Sequence, residues 1–247
     1  MRRIGATNRV GSRVVRALAA AAVALSFTHA WAAHPQAPSQ PLRTAKVADL
    51  GRELASAEVR HVANWAVHSG DHRGYPFAVV DKVDGRLYVF DAAGRLRGAS
   101  SALVGATPGD ASVPGIGSRK ISSIRPEERT TPAGRFEARM GVGPKGEDIL
   151  WVDYENALAL HRVVTNVPQE RRLQRLASES PGDRRITYGC INVPVGFYEA
   201  VVRPTFSSGG VVYILPELRP AREFFGSYEV GTQDDVQAAS MPVSAAH

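Results

Sequence analysis

The chain has 247 residues, 44% of them apolar and 22% charged, with a formal charge of +6. These proportions are those of a folded globular protein and exclude a disordered or fibrous one. The charge sits in the wrong place for a nucleic-acid partner, which needs a basic stripe on a folded face. Of the 30 Lys and Arg, five (Arg2, Arg3, Arg9, Arg13 and Arg16) lie within residues 1–32, and no acid precedes Asp49. The rest of the chain therefore carries 25 basic against 24 acidic residues, a formal +1.

The N-terminus has the three parts of a secretory signal. An arginine-rich opening leads into the apolar run Ala17 to Phe27, and Ala30-Trp31-Ala32 supplies a small-x-small cleavage site. The run is short of the about 20 residues that span a bilayer, and no later segment is apolar enough to cross one. The expectation is a cleaved signal over 1–32, followed by a flexible Pro/Gln/Ala/Ser linker over 33–45.

Val47, Leu50, Leu54, Val59, Val62 and Trp65 recur near helical spacing, which predicts an amphipathic helix within 46–74 that packs on the domain. Phe77 to Asp81 and Arg86 to Asp91 read as strands joined at Asp84-Gly85, and a third strand runs toward Gly105. A Gly/Pro-rich loop then fills residues 105–129, a length typical of lids and binding loops. Further strands are expected at Gly134–Met140, Ile149–Val152, Leu158–Val164 and Val211–Leu215. A short charged helix is expected at Gln169–Ala177, with Leu173 and Leu176 inward. The tail over 218–247 has too few apolar residues for its own core, although Phe224, Phe225 and Tyr228 can dock back.

Cys190 is the one cysteine, so an intramolecular disulfide is impossible. Three readings stay open for it: a buried inert thiol, an intermolecular bridge, or a reactive nucleophile. It stands in Thr187-Tyr188-Gly189-Cys190-Ile191-Asn192, where Gly189 permits a tight backbone with amides turned toward the sulfur side. A thiol with an ordinary pKa of about 8.5 needs a base. Of the histidines, His29, His34 and His247 lie toward the ends and His61, His68 and His72 on or beyond the first helix. Only His161 is embedded in the strand-rich body, sharing a strand face with Ala159 and Val163. His68-Ser69-Gly70-Asp71-His72 matches no zinc spacing, and there is no phosphate-binding loop or dinucleotide fingerprint, so neither metal nor cofactor is expected.

At these residues the chain resembles the L,D-transpeptidase (YkuD-like) catalytic domain family. The resemblance rests on His161, on Thr187-Tyr188-Gly189-Cys190 with Asn192, on the hairpin Phe77–Asp91, and on Thr130-Thr131-Pro132-Ala133-Gly134-Arg135-Phe136. It implies a mainly β domain over 75–217, a β-rich sandwich or barrel with an N-terminal helix and a short inserted helix before the Cys motif. It also implies acyl transfer on peptidoglycan stem peptides, with Cys190 as nucleophile and His161 as proton donor and acceptor. Amides of Gly189 and Cys190, with Tyr188, would hold the oxyanion, and the carbonyl of Thr187 or Arg162 would orient the imidazole. Arg135, Arg162 and Arg185 could meet substrate carboxylates, with surface solvation the more ordinary role for any one of them. The acceptor would be a stem amine, an envelope lipoprotein or water, in the periplasm or elsewhere in the cell envelope. Two departures stand out: Tyr188 replaces the family's His, and the stretch between His161 and Cys190 is long. The competing readings are a carboxypeptidase on the same substrates, an inactive peptidoglycan-binding relative, and an envelope protein that dimerises through Cys190.

Overall fold

In the computed structural model, which describes residues 45–231, Ser56 decides where the first helix begins. Its hydroxyl accepts the Val59 amide, and α1 runs over Ala57–Ser69 to a left-handed Gly70. The helix expected from 46 onward is thus shorter at its front. Asp49 Oδ1 accepts the Gly51 amide at 2.9 Å in a turn, and Asp49 pairs with Arg95 as an isolated bridge. The apolar spacing there serves an extended segment that buries Leu50 and leaves Leu54 exposed. The expected signal, linker residues 33–44 and tail residues 232–247 lie outside the described residues.

The fold is mainly β. One eight-stranded sheet has the order β3-β2-β1-β10-β5-β6-β7-β9, and β4 pairs with β8 beside it. The strands are β1 Phe77–Asp81, β2 Arg86–Phe90, β3 Leu96–Ser101, β4 Val104–Gly105, β5 Gly134–Val142, β6 Asp148–Asp153, β7 Leu158–Arg162, β8 Arg185–Thr187, β9 Ile191–Val193 and β10 Gly210–Ile214. The third strand, expected to run to Gly105, breaks at the buried pair Ala102-Leu103, and its continuation β4 pairs in parallel with β8. β8, β9 and a helical stretch over 195–205 were not legible in the sequence.

β1 and β10 are buried along their whole length, which is why they read as unbroken apolar runs rather than alternating ones. Ala78, Val80, Val212 and Ile214 face a core shared with Leu150 and Val152 of β6, Leu158 and Leu160 of β7, and Ile191 and Val193 of β9. Residues from the two ends of the sheet meet in one core, so the sheet curls over itself. β5 makes the curl: its first half pairs with β10 and its second half with β6. Tyr198, Val202 and Phe206 of the 195–205 stretch close the same core. Phe77, Val79, Val211 and Tyr213 face the other way, against Val59, Val62, Ala63 and Trp65 of α1. Each large side chain buried there stabilises the fold by about 1.5–3 kcal/mol. Phe225, from the helix Ala221–Phe225, stacks on Trp65 with ring centroids 6.5 Å apart. The inserted helix α2 covers Arg172–Ala177; Leu176 packs on Leu103 and Val163, whereas Leu173, expected inward, is exposed. No helix among the described residues is long and apolar enough to cross a membrane.

Candidate active site

Cys190 lies in the turn between β8 and β9, and four hydrogen bonds shape that turn. The Thr187 hydroxyl donates to the Cys190 carbonyl at 2.7 Å and accepts the Gly189 amide at 3.1 Å. The Thr131 hydroxyl donates to the Gly189 carbonyl at 2.6 Å and accepts the Gly105 amide at 2.8 Å. Gly189 has φ 137, and a Cβ there would stand 2.9 Å from the Thr130 carbonyl oxygen, so only glycine fits. Two expectations are corrected here. The Gly189 amide is not free for an oxyanion, because Thr187 takes it, and Thr187 is a buried clamp of the turn.

The parallel pairing of β7 with β9 sets the side-chain directions. Leu160 is registered with Ile191 and His161 with Asn192. With a period of two, Leu160 and Ile191 enter the core, while Ala159, His161, Cys190 and Asn192 share the opposite face. His161 Nδ1 lies 2.7 Å from the Arg162 carbonyl and therefore donates to it. Of the two carbonyls considered from the sequence, Arg162 is the one that orients the ring. Nε2, then a bare lone pair, accepts the Asn192 amide NH2 at 3.1 Å. The half-buried Cys190 thiol donates to the carbonyl of Ala157 at 3.5 Å. Ala157 itself holds a left-handed φ of 52, a strained conformation for a residue with a Cβ.

Burial pushes the Cys190 thiol above its ordinary value, opposed by the amides of Ala159 and Cys190 itself and by the Arg172 charge. Burial also pulls the His161 imidazole down, against its bond to the Arg162 carbonyl. Both shifts favour the uncharged forms, so at neutral pH the pair is thiol and imidazole rather than thiolate and imidazolium.

Both side chains open onto a cavity of about 260 Å³ whose walls include Ile116, Ile124, Ile149, Trp151 and Tyr188. Its roof is the 105–129 loop, which folds into three short 3-10 turns. Gly117 packs so tightly on the β6–β7 turn that a Cβ would sit 2.0 Å from the Glu155 carbonyl oxygen. Arg129 lies over the Tyr188 ring at 4.2 Å. Glu128 ties the loop to itself through Arg119 at 2.9 Å and Arg125 at 3.3 Å. Those guanidiniums and the Arg125 amide lower its pKa from 4.5 to about 2. A carboxyl whose folded pKa is depressed stabilises above its unfolded value and loses that contribution as pH falls toward the folded value. The roof is therefore expected to loosen between pH 4.5 and about 2. Acrylamide quenching of Trp151 should rise across that window in the wild type and stay flat in Glu128→Gln; a rise in both rules out Glu128 as the cause.

The three arginines that could have met substrate carboxylates, or simply been solvated, are engaged in ion pairs. Arg135 binds Asp71, Arg185 binds Glu217, and Arg162 bridges Asp148 and Glu199 with its guanidinium 4.2 Å over Tyr198. His72 is buried with both ring nitrogens at the carbonyls of Ala66 and Ala92. Among the described residues no group of three or more His, Cys, Asp or Glu is placed to hold a metal. Arg172, from the inserted helix, is the residue sequence reasoning missed: its Nη1 donates to Asn192 Oδ1 at 2.7 Å. Only the density of arginine in that insertion hinted at it.

No family model and no curated protein matches the chain. Among solved structures, part of it is similar to the helical cell shape determining protein Pgp2 from Campylobacter jejuni. That match has 17% identity and a TM-score of 0.39, over 59% of this chain and 49% of Pgp2. The chain thus spans about half the length of that relative. It is also similar to the catalytic domain of an L,D-transpeptidase from E. faecium, at 15% identity and a TM-score of 0.30, over 58% of this chain and 99% of that domain.

Proposed function

We propose that the chain is an exported cysteine acyltransferase acting on peptidoglycan stem peptides, with Cys190 as nucleophile and His161 as base. The observation that carries this reading is that Cys190 and His161 project from one face of the β7–β9 pair into one cavity, with the imidazole proton held on the far nitrogen by the Arg162 carbonyl. A general base needs a bare nitrogen, and Nε2 is the unprotonated one. The resemblance of Thr187–Asn192 to the L,D-transpeptidase motif supplies the substrate class, and the arginine-rich, apolar N-terminus supports export to the envelope.

In this reading the thiol proton passes to His161 Nε2, displacing the Asn192 hydrogen bond, as Sγ attacks the carbonyl carbon of an L-to-D amide. The tetrahedral oxyanion takes the Cys190 amide and the Tyr188 hydroxyl as donors, since the Gly189 amide is occupied. Collapse breaks the carbon–nitrogen bond; the leaving amine takes the proton from His161, and a thioester remains on Cys190. An amine of a second stem then attacks the thioester, giving a cross-link and restoring the thiol. The decisive experiment incubates purified muropeptides with wild type and Cys190→Ala and analyses the products by mass. Cross-linked species absent with Cys190→Ala are expected. Shortened stems alone would replace transfer with hydrolysis, and unchanged muropeptides would overturn the enzymatic reading.

A further inference from the structure

The helix α2 brings one side chain, Arg172, back to the strand pair that carries Cys190 and His161. The helix is anchored by Leu176 on Leu103 and Val163. Arg172 is largely buried, with Nε on Glu170 Oε2 at 2.5 Å and Nη1 on Asn192 Oδ1 at 2.7 Å. A guanidinium can only donate, so the Asn192 atom facing it is the amide oxygen and the NH2 is turned away. That NH2 meets His161 Nε2 at 3.1 Å, which must then be the unprotonated nitrogen. At the far end the Arg162 carbonyl can only accept, and it takes the Nδ1 proton at 2.7 Å. The chain Arg172–Asn192–His161–Arg162 is therefore donor-only at one end and acceptor-only at the other, and every bond in it has one permitted direction. The opposite imidazole tautomer would set two N–H groups against each other and a lone pair against a carbonyl, inside a site where Asn192 is 1% exposed.

We propose that Arg172 is a positioning residue for the reaction at Cys190: through Asn192 it reinforces the His161 tautomer that the Arg162 carbonyl selects, and it places a positive charge on the strand face that carries the thiol. This inference rests on the proposed role of Cys190 and His161 and adds a residue from outside the recognised motif. The charge acts on both partners in the same direction, favouring thiolate over thiol and imidazole over imidazolium. The other charged groups around the pair are Arg162 on β7, Glu147 between β5 and β6, Arg119 on the roof loop, and Glu170, which offsets part of the Arg172 charge.

The test measures Cys190 alkylation by iodoacetamide against pH on the full chain, with nitrogen-15 spectra of His161. The proteins are the wild type, Arg172→Met and Arg172→Lys. Arg175→Ala is the control, on the same helix, where its guanidinium binds the carbonyls of Glu170 and Asp183. Arg172→Met keeps the aliphatic stem and should shift the alkylation midpoint upward and slow labelling below it, with a detectable minor His161 tautomer. Arg172→Lys restores charge without the planar fork, so it should recover the midpoint but not the single tautomer. An unchanged midpoint and tautomer in Arg172→Met overturns the proposal, as does an equal shift in Arg175→Ala, which would trace the effect to helix packing. No peptidoglycan enters the assay, so failure of the muropeptide experiment and failure of this one are separate results.

Discussion

His161→Ala is expected to lower stem-peptide turnover by about 10²–10⁴-fold at neutral pH, the usual contribution of a positioned general base. The reason lies in the burial of the pair. A thiol pushed above its ordinary pKa holds little thiolate at neutral pH, so proton removal has to accompany attack. Without the imidazole the remaining activity depends on spontaneous ionisation. The variant's kcat/KM should climb steadily with pH, whereas the wild type should level off above the depressed pKa of His161. KM should change little, because the ring lines only part of a mostly apolar cavity. If His161→Ala turned over at the wild-type rate with the wild-type pH profile, the base would have to be another group.

Lys82→Met should be the most destabilising of the single substitutions considered. The Lys82 side chain is 1% exposed and its ammonium reaches Asp110 Oδ1 at 2.8 Å, the Thr131 carbonyl at 3.0 Å and Glu217 Oε1 at 3.4 Å. Removing it leaves two carboxylates facing each other with Arg185 alone to balance them. Breaking such a buried pair costs about 3–5 kcal/mol, or about 10 °C in Tm for a domain of this size. The substitution also frees the Thr131 carbonyl, and Thr131 is the residue that holds the Gly189 carbonyl, so turnover should fall with stability. Thermal unfolding checks the first effect. Adding Glu217→Gln to Lys82→Met should recover part of the loss, because the penalty comes from uncompensated charge rather than from missing volume. A Tm within about 2 °C of wild type would contradict the account.

How much of this could be read beforehand depends on where each signal resides. β1 and β10 were legible because strands buried on both faces write continuous apolar runs into the sequence. The front of the expected helix misled because Val47, Leu50 and Leu54 keep helical spacing without helical backbone; the Asp49–Gly51 turn and the Ser56 cap decide the matter locally. The 195–205 stretch carries Gly196, three valines and Pro204, and it is helical through a π-turn at Tyr198–Val202 just before the proline. That geometry is set by packing into the core rather than by propensity. In the site, Cys190 and His161 stood out by scarcity and position. Arg172 did not, since its meeting with Asn192 exists only once α2 has folded back across β9. Tyr188 was visible as a substitution for the family's His, but its partner Arg129 comes from a loop with no periodic pattern.

Two strands running the same way cannot be joined by a tight turn; a crossover must carry the chain back to the starting edge. Between β7 and β9 that return path is compulsory, while its length is nearly free, because closing a longer loop costs only about 0.6 kcal/mol per doubling. New elements can thus be spliced into the path without disturbing the register that aims Cys190 and His161. The return path can therefore carry a side chain such as Arg172 to the site while the strands that hold the reacting atoms keep their register.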